Sequence, residues 1–357
     1  MVNLHIKTKN ITGTEHINFS SICGYDTFIK EMKYVCKKTP IDKVYNLVGT
    51  VKLHGTHADI VYKKIAEDSY DVHLQSRNRV LTQDQDNCGY VKFMTEMPLE
   101  VFETLFDAVK ERYEDNIDTL MIAGEFCGGN VQKKVALTQL DTMFVIFNIK
   151  INGVWQKITD YAHVKVPEHR VFNITRGGLY KEQFSFVSKD AVATRLAEIT
   201  DAVEKECPFA KSFDVSGTGE GVVWQCEELA ENSRYWFKVK GEAHSVTKVK
   251  TLKPMSAEER EKLKSAEIFA SKVVTEARLE QGLDYLREMN LEKTIKNIGV
   301  FIKWVVEDVI KEETDNMKEF SVSADKVKRV VGSMASSFYK LSLMKSDDLE
   351  TENVASS

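Results

Sequence analysis

The chain has 357 residues, of which 43% are hydrophobic and 29% charged, with only 18 Gly and 5 Pro. That is a globular composition with room for two domains at roughly 100–200 residues each, and it excludes a disordered, collagenous or low-complexity protein. Lys and Arg number 49 against 54 Asp and Glu, a net charge of −5, so affinity for nucleic acid has to come from local basic clusters rather than from the total.

From Ile41 to about Lys250 the sequence is rich in β-branched and aromatic residues, with turn signals at short intervals. Asn46-Leu-Val-Gly-Thr-Val-Lys-Leu-His54 and Ala58-Asp-Ile-Val-Tyr-Lys63 read as adjacent strands around a turn at Gly55-Thr56. A helix is expected over Leu99–Arg112. Thr142–Ile151 is apolar at nearly every position, which suits a central strand covered on both faces. Asn152-Gly153 follows it, a strong two-residue hairpin signal. A second helix is expected over Ala191–Lys205, and Glu220–Gln225 and Tyr235–Lys240 pair as strands across a polar loop. This half reads as α+β with a largely antiparallel sheet.

Pro254 marks a change. Ser256-Ala-Glu-Glu259 is a capping box that opens a helical region. Ala257–Met289, Leu291–Lys311 and Ser323–Leu343 read as helices, with Ile298, Phe301, Ile302, Val305 and Val309 recurring at helical spacing. The stretch from Ser346 onward is acidic and polar and is expected to fray. The expected organisation is therefore residues 1–253, 254–345 and a tail over 346–357.

No apolar run approaches the ~20 residues that a bilayer span needs. The opening Met1-Val-Asn-Leu-His-Ile-Lys has neither the apolar core of a secretory signal nor the bias of a transit peptide. Cys23, Cys36, Cys88, Cys127, Cys207 and Cys226 form no Cys-x-x-Cys pair and read as reduced thiols. A cytoplasmic location is the expectation, the host cytoplasm if the source is viral.

Lys52-Leu-His-Gly-Thr56 carries the first chemical signal. With Val51 and Leu53 facing the core, the strand period turns Lys52 and His54 to the other face. Gly55 then permits a tight turn or a close backbone approach. Such a lysine could be a nucleophile, although a lone lysine on a strand is usually a solvated edge charge. Four more segments follow in order. Gln75-Ser-Arg-Asn-Arg79 brings Arg77, and Ile122-Ala-Gly-Glu-Phe-Cys-Gly-Gly129 ends a strand with Glu125 beside glycines. Glu220-Gly-Val-Val-Trp224 opens a strand with a second carboxylate, and Phe237-Lys-Val-Lys-Gly241 sets Lys238 and Lys240 on one face.

That ordered set resembles the covalent nucleotidyltransferase superfamily of polynucleotide ligases and mRNA-capping enzymes. Its Lys-x-His-Gly-Thr form is similar to the RNA ligase 2 family, which includes phage repair ligases and kinetoplastid RNA-editing ligases. Gly124-Glu-Phe-Cys-Gly128 and Phe144-Val-Ile-Phe-Asn148 look like that family's third motif and the aromatic strand after it. The resemblance covers roughly Asn46 to Lys250, and five motifs in order are hard to produce by chance. Two positions depart from the pattern: His57 stands where the family usually has Asn, and Asn148 where it often has Asp.

The resemblance implies an antiparallel-sheet, ATP-grasp-like adenylation domain followed by a small all-α C-terminal domain, because DNA ligases and capping enzymes continue instead into a β-rich OB-fold. It implies an ATP-dependent RNA ligase that uses ATP as co-substrate with Mg²⁺ or Mn²⁺. Lys52 is the implied nucleophile, its pKa lowered from the ordinary ~10.4 by Lys238, Lys240 and the metal ion. Glu220 is the implied metal ligand, and Glu125 contacts ribose or a metal-bound water. Arg77 suits a phosphate or ribose, with Arg79 as the alternative. Phe147 stacks on adenine or belongs to the core, Leu53 lines the nucleotide site, and His54 orients the lysine loop or contacts phosphate. RNA contacts are expected at His57 and, from local basic density, at Arg79, Lys133 and Lys248, with Lys250 and Lys253 adding to the last cluster.

The implied partner is RNA with 3′-hydroxyl and 5′-phosphate ends, a duplex nick in RNA repair, handled by a monomer away from any membrane. Two other readings stand beside this one. The first is a sister enzyme, a DNA ligase or a capping-type guanylyltransferase; the second is a non-catalytic RNA-binding protein on the same fold.

Overall fold

A computed structural model describes residues 2–9, 11, 13–35, 42–242, 266–320 and 322–354. The chain divides into two units, Met1–Gly241 and Glu242–Ser357. The first carries strands β1 (Asn3–Lys7), β2 (Tyr45–Lys52), β3 (Thr56–Ala66), β4 (Ser69–Ser76), β5 (Thr119–Cys127), β6 (Met143–Ile151), β7 (Val154–Trp155), β8 (Val171–Asn173), β9 (Tyr180–Phe184), β10 (Gly221–Cys226) and β11 (Trp236–Lys240). Its helices are α1 (Tyr25–Val35), α2 (Tyr90–Thr95), α3 (Leu99–Lys110), α4 (Lys189–Lys205) and α5 (Pro208–Lys211). The strands form two sheets, one in the order β1-β4-β3-β5-β6-β7 with β8 also beside β6, the other β11-β10-β2-β9. Pairing is antiparallel except for β1 with β4 and β6 with β8.

The expected hairpin around Gly55 is not formed. β2 pairs with β10 and β9 in the smaller sheet, whereas β3 pairs with β4 and β5 in the larger one. Alternation marks each segment as a strand but is the same for a local and a distant partner. The chain therefore crosses between sheets over residues 53–55. The Asn152-Gly153 hairpin does form: Ile151 faces Val154, and both turn residues take positive φ, 48° and 83°.

Both faces of β3 are covered over Ala58–Tyr62, which explains the unbroken burial of those five residues. Ala58, Ile60 and Tyr62 join the main core. α3 packs there through Val101, Phe102, Leu105, Phe106 and Val109, a helical stripe, with the Tyr62 hydroxyl donating to the Phe102 carbonyl at 3.0 Å. On the opposite face Val61 meets Met121, Ala123, Trp155, Trp236 and Phe19.

In the second unit the regular elements among the described residues are α6 (Ala266–Val273), α7 (Glu276–Glu288), α8 (Ile298–Glu312), α9 (Thr314–Glu319) and α10 (Ala324–Val354). The helix expected over Ala257–Met289 is broken at Val274-Thr275, because the Thr275 hydroxyl caps α7 by accepting from the Arg278 amide at 3.3 Å. The Ser256–Glu259 capping box lies outside the described residues. Phe269, Phe301, Val305, Val309, Val331 and Tyr339 are core residues of this unit. Within it, Arg278 is fully buried and donates to Asp308 at 2.8 Å, Glu313 at 2.9 Å and the Val273 carbonyl at 2.6 Å. No described helix is long and apolar enough to cross a membrane.

Candidate active site

Three strands of the smaller sheet bring the key charges into one row. Gly221 at the start of β10 faces Lys52 of β2 on one side and Lys240 of β11 on the other. The carboxylate of Glu220, one residue earlier, reaches between the two lysines. Lys52 Nζ donates to Glu220 Oε2 at 2.7 Å, Lys240 Nζ lies 2.9 Å from Oε1, and His54 Nδ1 lies 3.5 Å from Oε2. Val51 and Leu53 are buried, so Lys52 and His54 do project from the opposite face. The Leu53 side chain accordingly belongs to the core, and its carbonyl sits 3.5 Å from Lys52 Nζ.

The electrostatics reverse one expectation. Glu220 is only 2% exposed; burial opposes its ionisation, but Lys240 and Lys52 outweigh that and hold it well below the usual carboxylate range. Burial likewise pulls the Lys52 ammonium down, with help from Arg77, yet Glu220 and Glu125 overcome both and raise it above the ordinary lysine value. The resting lysine is thus a paired ammonium and not a lowered nucleophile, because the strongest neighbouring charge is negative.

Glu125 approaches from the larger sheet. Its Oε1 accepts the Gly55 amide at 2.8 Å, and on β5 it stands directly opposite His57 of β3. Burial raises its pKa against the pull of Lys52 and His57. Gly55 is obligatory here, since a Cβ would lie 2.3 Å from the Phe126 carbonyl oxygen and 2.7 Å from Cys127 Cβ. The crossover between sheets is thereby clamped onto β5 beside the lysine.

Arg77 follows β4, close enough to act on Lys52, and its Nη2 donates to Ser21 Oγ at 3.1 Å. Arg79 turns instead to its own loop, donating to the Gln85 and Asp86 carbonyls at 2.7 and 3.2 Å. Lys238 shares the face of Lys240, two residues away on β11, with Phe237 buried behind. Lys133 is exposed on the loop after Gly128-Gly129. Lys248, with Lys250 and Lys253, lies outside the described residues.

His57 and Phe147 meet: their ring centroids are 5.6 Å apart, and Phe19 touches both at 4.6 and 5.6 Å. His57 Nε2 also lies 2.9 Å from Oδ1 of Asp59, at an angle that leaves neither atom a formal hydrogen bond. Asp59 is wholly buried, and its Oδ2 accepts from Gln75 Nε2 at 2.8 Å. Asp59 could have been found from the strand period, since it sits two residues beyond His57 on one face. Phe19 and Gln75 had no such signal, because their roles arise from contacts distant in sequence. Asn148 is also wholly buried, its Oδ1 accepting the Ile149 amide at 2.8 Å, so it belongs to the interior rather than to a pocket rim.

Among the described residues no group of three or more His, Cys, Asp or Glu side chains could hold a metal ion by itself. Both Glu220 oxygens are engaged by lysines as well. A divalent cation fits this donor set only with substrate phosphates completing its shell, as is usual for Mg²⁺.

A family model described as RNA ligase matches residues 46–240, more than half of the sequence, and the chain belongs to the RNA ligase family. Among solved structures it is similar to the RNA ligase of Naegleria gruberi. A mutant of that ligase with AMP and Mn is 15% identical over 64% of this chain and 56% of that one, at a TM-score of 0.41. A mutant with ATP and Mn aligns at 14% identity over 64% and 57% with the same TM-score, 0.41. The form with PPi gives 14% identity over 64% and 56%, again at 0.41. The match thus spans little more than half of that ligase. No curated protein matches the chain.

Proposed function

We propose that this protein is an ATP-dependent RNA ligase of the RNA ligase 2 type, joining 3′-hydroxyl and 5′-phosphate RNA ends. The observation that carries the reading is the row Lys52–Glu220–Lys240, with Glu125 and Arg77 acting on the same lysine. Family membership supports the substrate class, and the Naegleria ligase structures with ATP and Mn are consistent with the nucleotide and the metal.

In the first step Lys52 Nζ loses its proton to solvent and attacks the α-phosphorus of ATP. A P–N bond forms as the bond to pyrophosphate breaks, and pyrophosphate leaves with the electron pair. In the second step an oxygen of the RNA 5′-phosphate attacks that phosphorus, and the P–N bond breaks as Nζ regains a proton. In the third step the 3′-hydroxyl oxygen attacks the 5′-phosphate, gives up its proton and expels AMP.

The resting ion pair sets the starting point: the Lys52 ammonium has to give up its proton, and with it the charge pairing to Glu220, before the amine can attack. Glu220 and Glu125 are the residues that would hold a divalent cation, which supplies neutralisation of phosphate charge. Lys240 and Lys238 then face the phosphates, where their charge favours the transition state. Arg77 suits phosphate or ribose, Phe147 the adenine, and His57 with Lys133 the RNA.

Incubation with α-labelled ATP and Mg²⁺, followed by denaturing electrophoresis, tests the reading. Label is expected on the wild type and not on Lys52→Ala. A folded wild type that takes label only from GTP would make it a guanylyltransferase, and one that takes none would make it a binding protein. Sealing of RNA nicks in preference to DNA nicks tests the substrate class.

A further inference from the structure

The residues before the family match enter the site. Residues 16–23 run from the larger sheet to the smaller, fastened at both ends. At the first end His16 Nε2 lies 3.0 Å from the Ser76 carbonyl oxygen. The Ile17 backbone there makes a two-way pairing with the Gln75 side chain, its amide donating to Oε1 at 3.0 Å and its carbonyl accepting from Nε2 at 2.7 Å. At the other end Cys23 bridges to Phe237 of β11, and its carbonyl accepts the Lys238 amide at 2.8 Å. The Cys23 thiol also donates to the Trp236 carbonyl at 3.2 Å.

Between these anchors the segment contacts groups of the site. Ser21 Oγ accepts from Arg77, and Phe19, only 4% exposed, packs against the rings of His57, Phe147, Trp155 and Trp236. Gln75 ties the same segment to Asp59, whose Oδ1 lies 2.9 Å from His57 Nε2. His57 and Phe147 are thus held from behind by a ring that neither of their own strands supplies.

We propose that residues 16–23 are a positioning strap for the nucleotide site and that Phe19 is its key residue, fixing the rings of Phe147 and His57. This rests on the ligase reading above. Aromatic rings hold one another by edge-to-face contact beyond simple burial, so replacing Phe19 by Leu keeps an apolar side chain there but loses the ring contacts that set orientation. The strap is a positioning element: none of its side chains needs to touch the reacting atoms.

The test compares Phe19→Leu, Phe19→Tyr and Phe106→Leu in the full chain. Phe106 is an equally buried ring on the opposite face of the larger sheet, against Tyr62 and Tyr70, and serves as the control for a merely structural loss. Two readouts are taken: the KM for ATP in Lys52 labelling, and calorimetric ATP binding to the same variants carrying Lys52→Ala. Phe19→Leu is expected to weaken both by at least about fivefold with kcat little changed, while Phe19→Tyr stays within about twofold of wild type. Phe106→Leu is expected to lower the unfolding temperature comparably and to leave both readouts within about twofold. Equal shifts for Phe19→Leu and Phe106→Leu, or none for Phe19→Leu, would overturn the strap. Absence of label on the wild type, with ATP still bound by Lys52→Ala, would overturn the ligase reading alone and leave the strap to the binding arm; absence of ATP binding as well would overturn both.

Discussion

At the scale of single residues, the site is governed by Glu220, whose carboxylate pairs with two lysines at once. Because Lys52 is held above the ordinary lysine value, its amine should react slowly in the ligand-free protein. Competitive acylation read by mass spectrometry is expected to modify Lys52 more slowly than an exposed lysine. Glu220→Gln removes the dominant raising partner and leaves burial and Arg77 opposed by Glu125 alone, so acylation of Lys52 should speed up. An unchanged rate would remove Glu220 as the group that holds the proton. The same pair sets a pH dependence. Glu220's folded pKa is depressed, so its contribution is present above the ordinary carboxylate value of ~4.3 and disappears as pH falls through the depressed one. Lys52's is raised, so its contribution is present below ~10.4 and disappears as pH rises through the raised one. The stability gap between wild type and Glu220→Gln should therefore be widest between those two ordinary values, at roughly 3–5 kcal/mol, and should narrow as pH falls below ~4.3. A gap constant from pH 7 to 3 in thermal melts would contradict the pairing.

At the scale of elements, the decisive feature is the crossover from β2 to β3. It places the lysine at the end of one sheet and Glu125 and His57 on the other, with the Gly55 amide as the clamp. Gly55→Ala forces a Cβ into the Phe126 carbonyl and should cost about 1–3 kcal/mol by overpacking, together with loss of Lys52 labelling. Retention of full labelling by this variant would show that the clamp is dispensable. The break between α6 and α7 is a second element-scale device, set by one hydroxyl. Thr275→Val, which keeps the shape and removes the cap, is expected to destabilise the C-terminal unit by ~1 kcal/mol in denaturant melts.

At the scale of the whole molecule, two units with separate cores invite separable roles. Arg278 is buried within the second unit with Asp308 and Glu313, and Arg278→Ala leaves both carboxylates without their main partner, a loss of roughly 3–5 kcal/mol. If the helical unit serves to hold RNA, this variant should lose nick sealing more than Lys52 labelling. Equal loss of the two activities would tie the second unit to adenylation instead.

Much of the site could be read from the chain alone. The strand period placed Lys52 and His54 opposite Val51 and Leu53, and the ordered motifs around Lys52, Glu125, Glu220 and Lys240 pointed to one chemistry. The Asn152-Gly153 turn was legible because two residues with positive φ are a local demand that a local pair of residue types meets. What only the tertiary structure decided were the partners. It sent β2 and β3 to different sheets, gave Lys52 a carboxylate that raises its pKa, and brought Phe19 against Phe147. Each of these depends on contacts between residues far apart in sequence, where periodicity and propensity carry no information about which surface meets which.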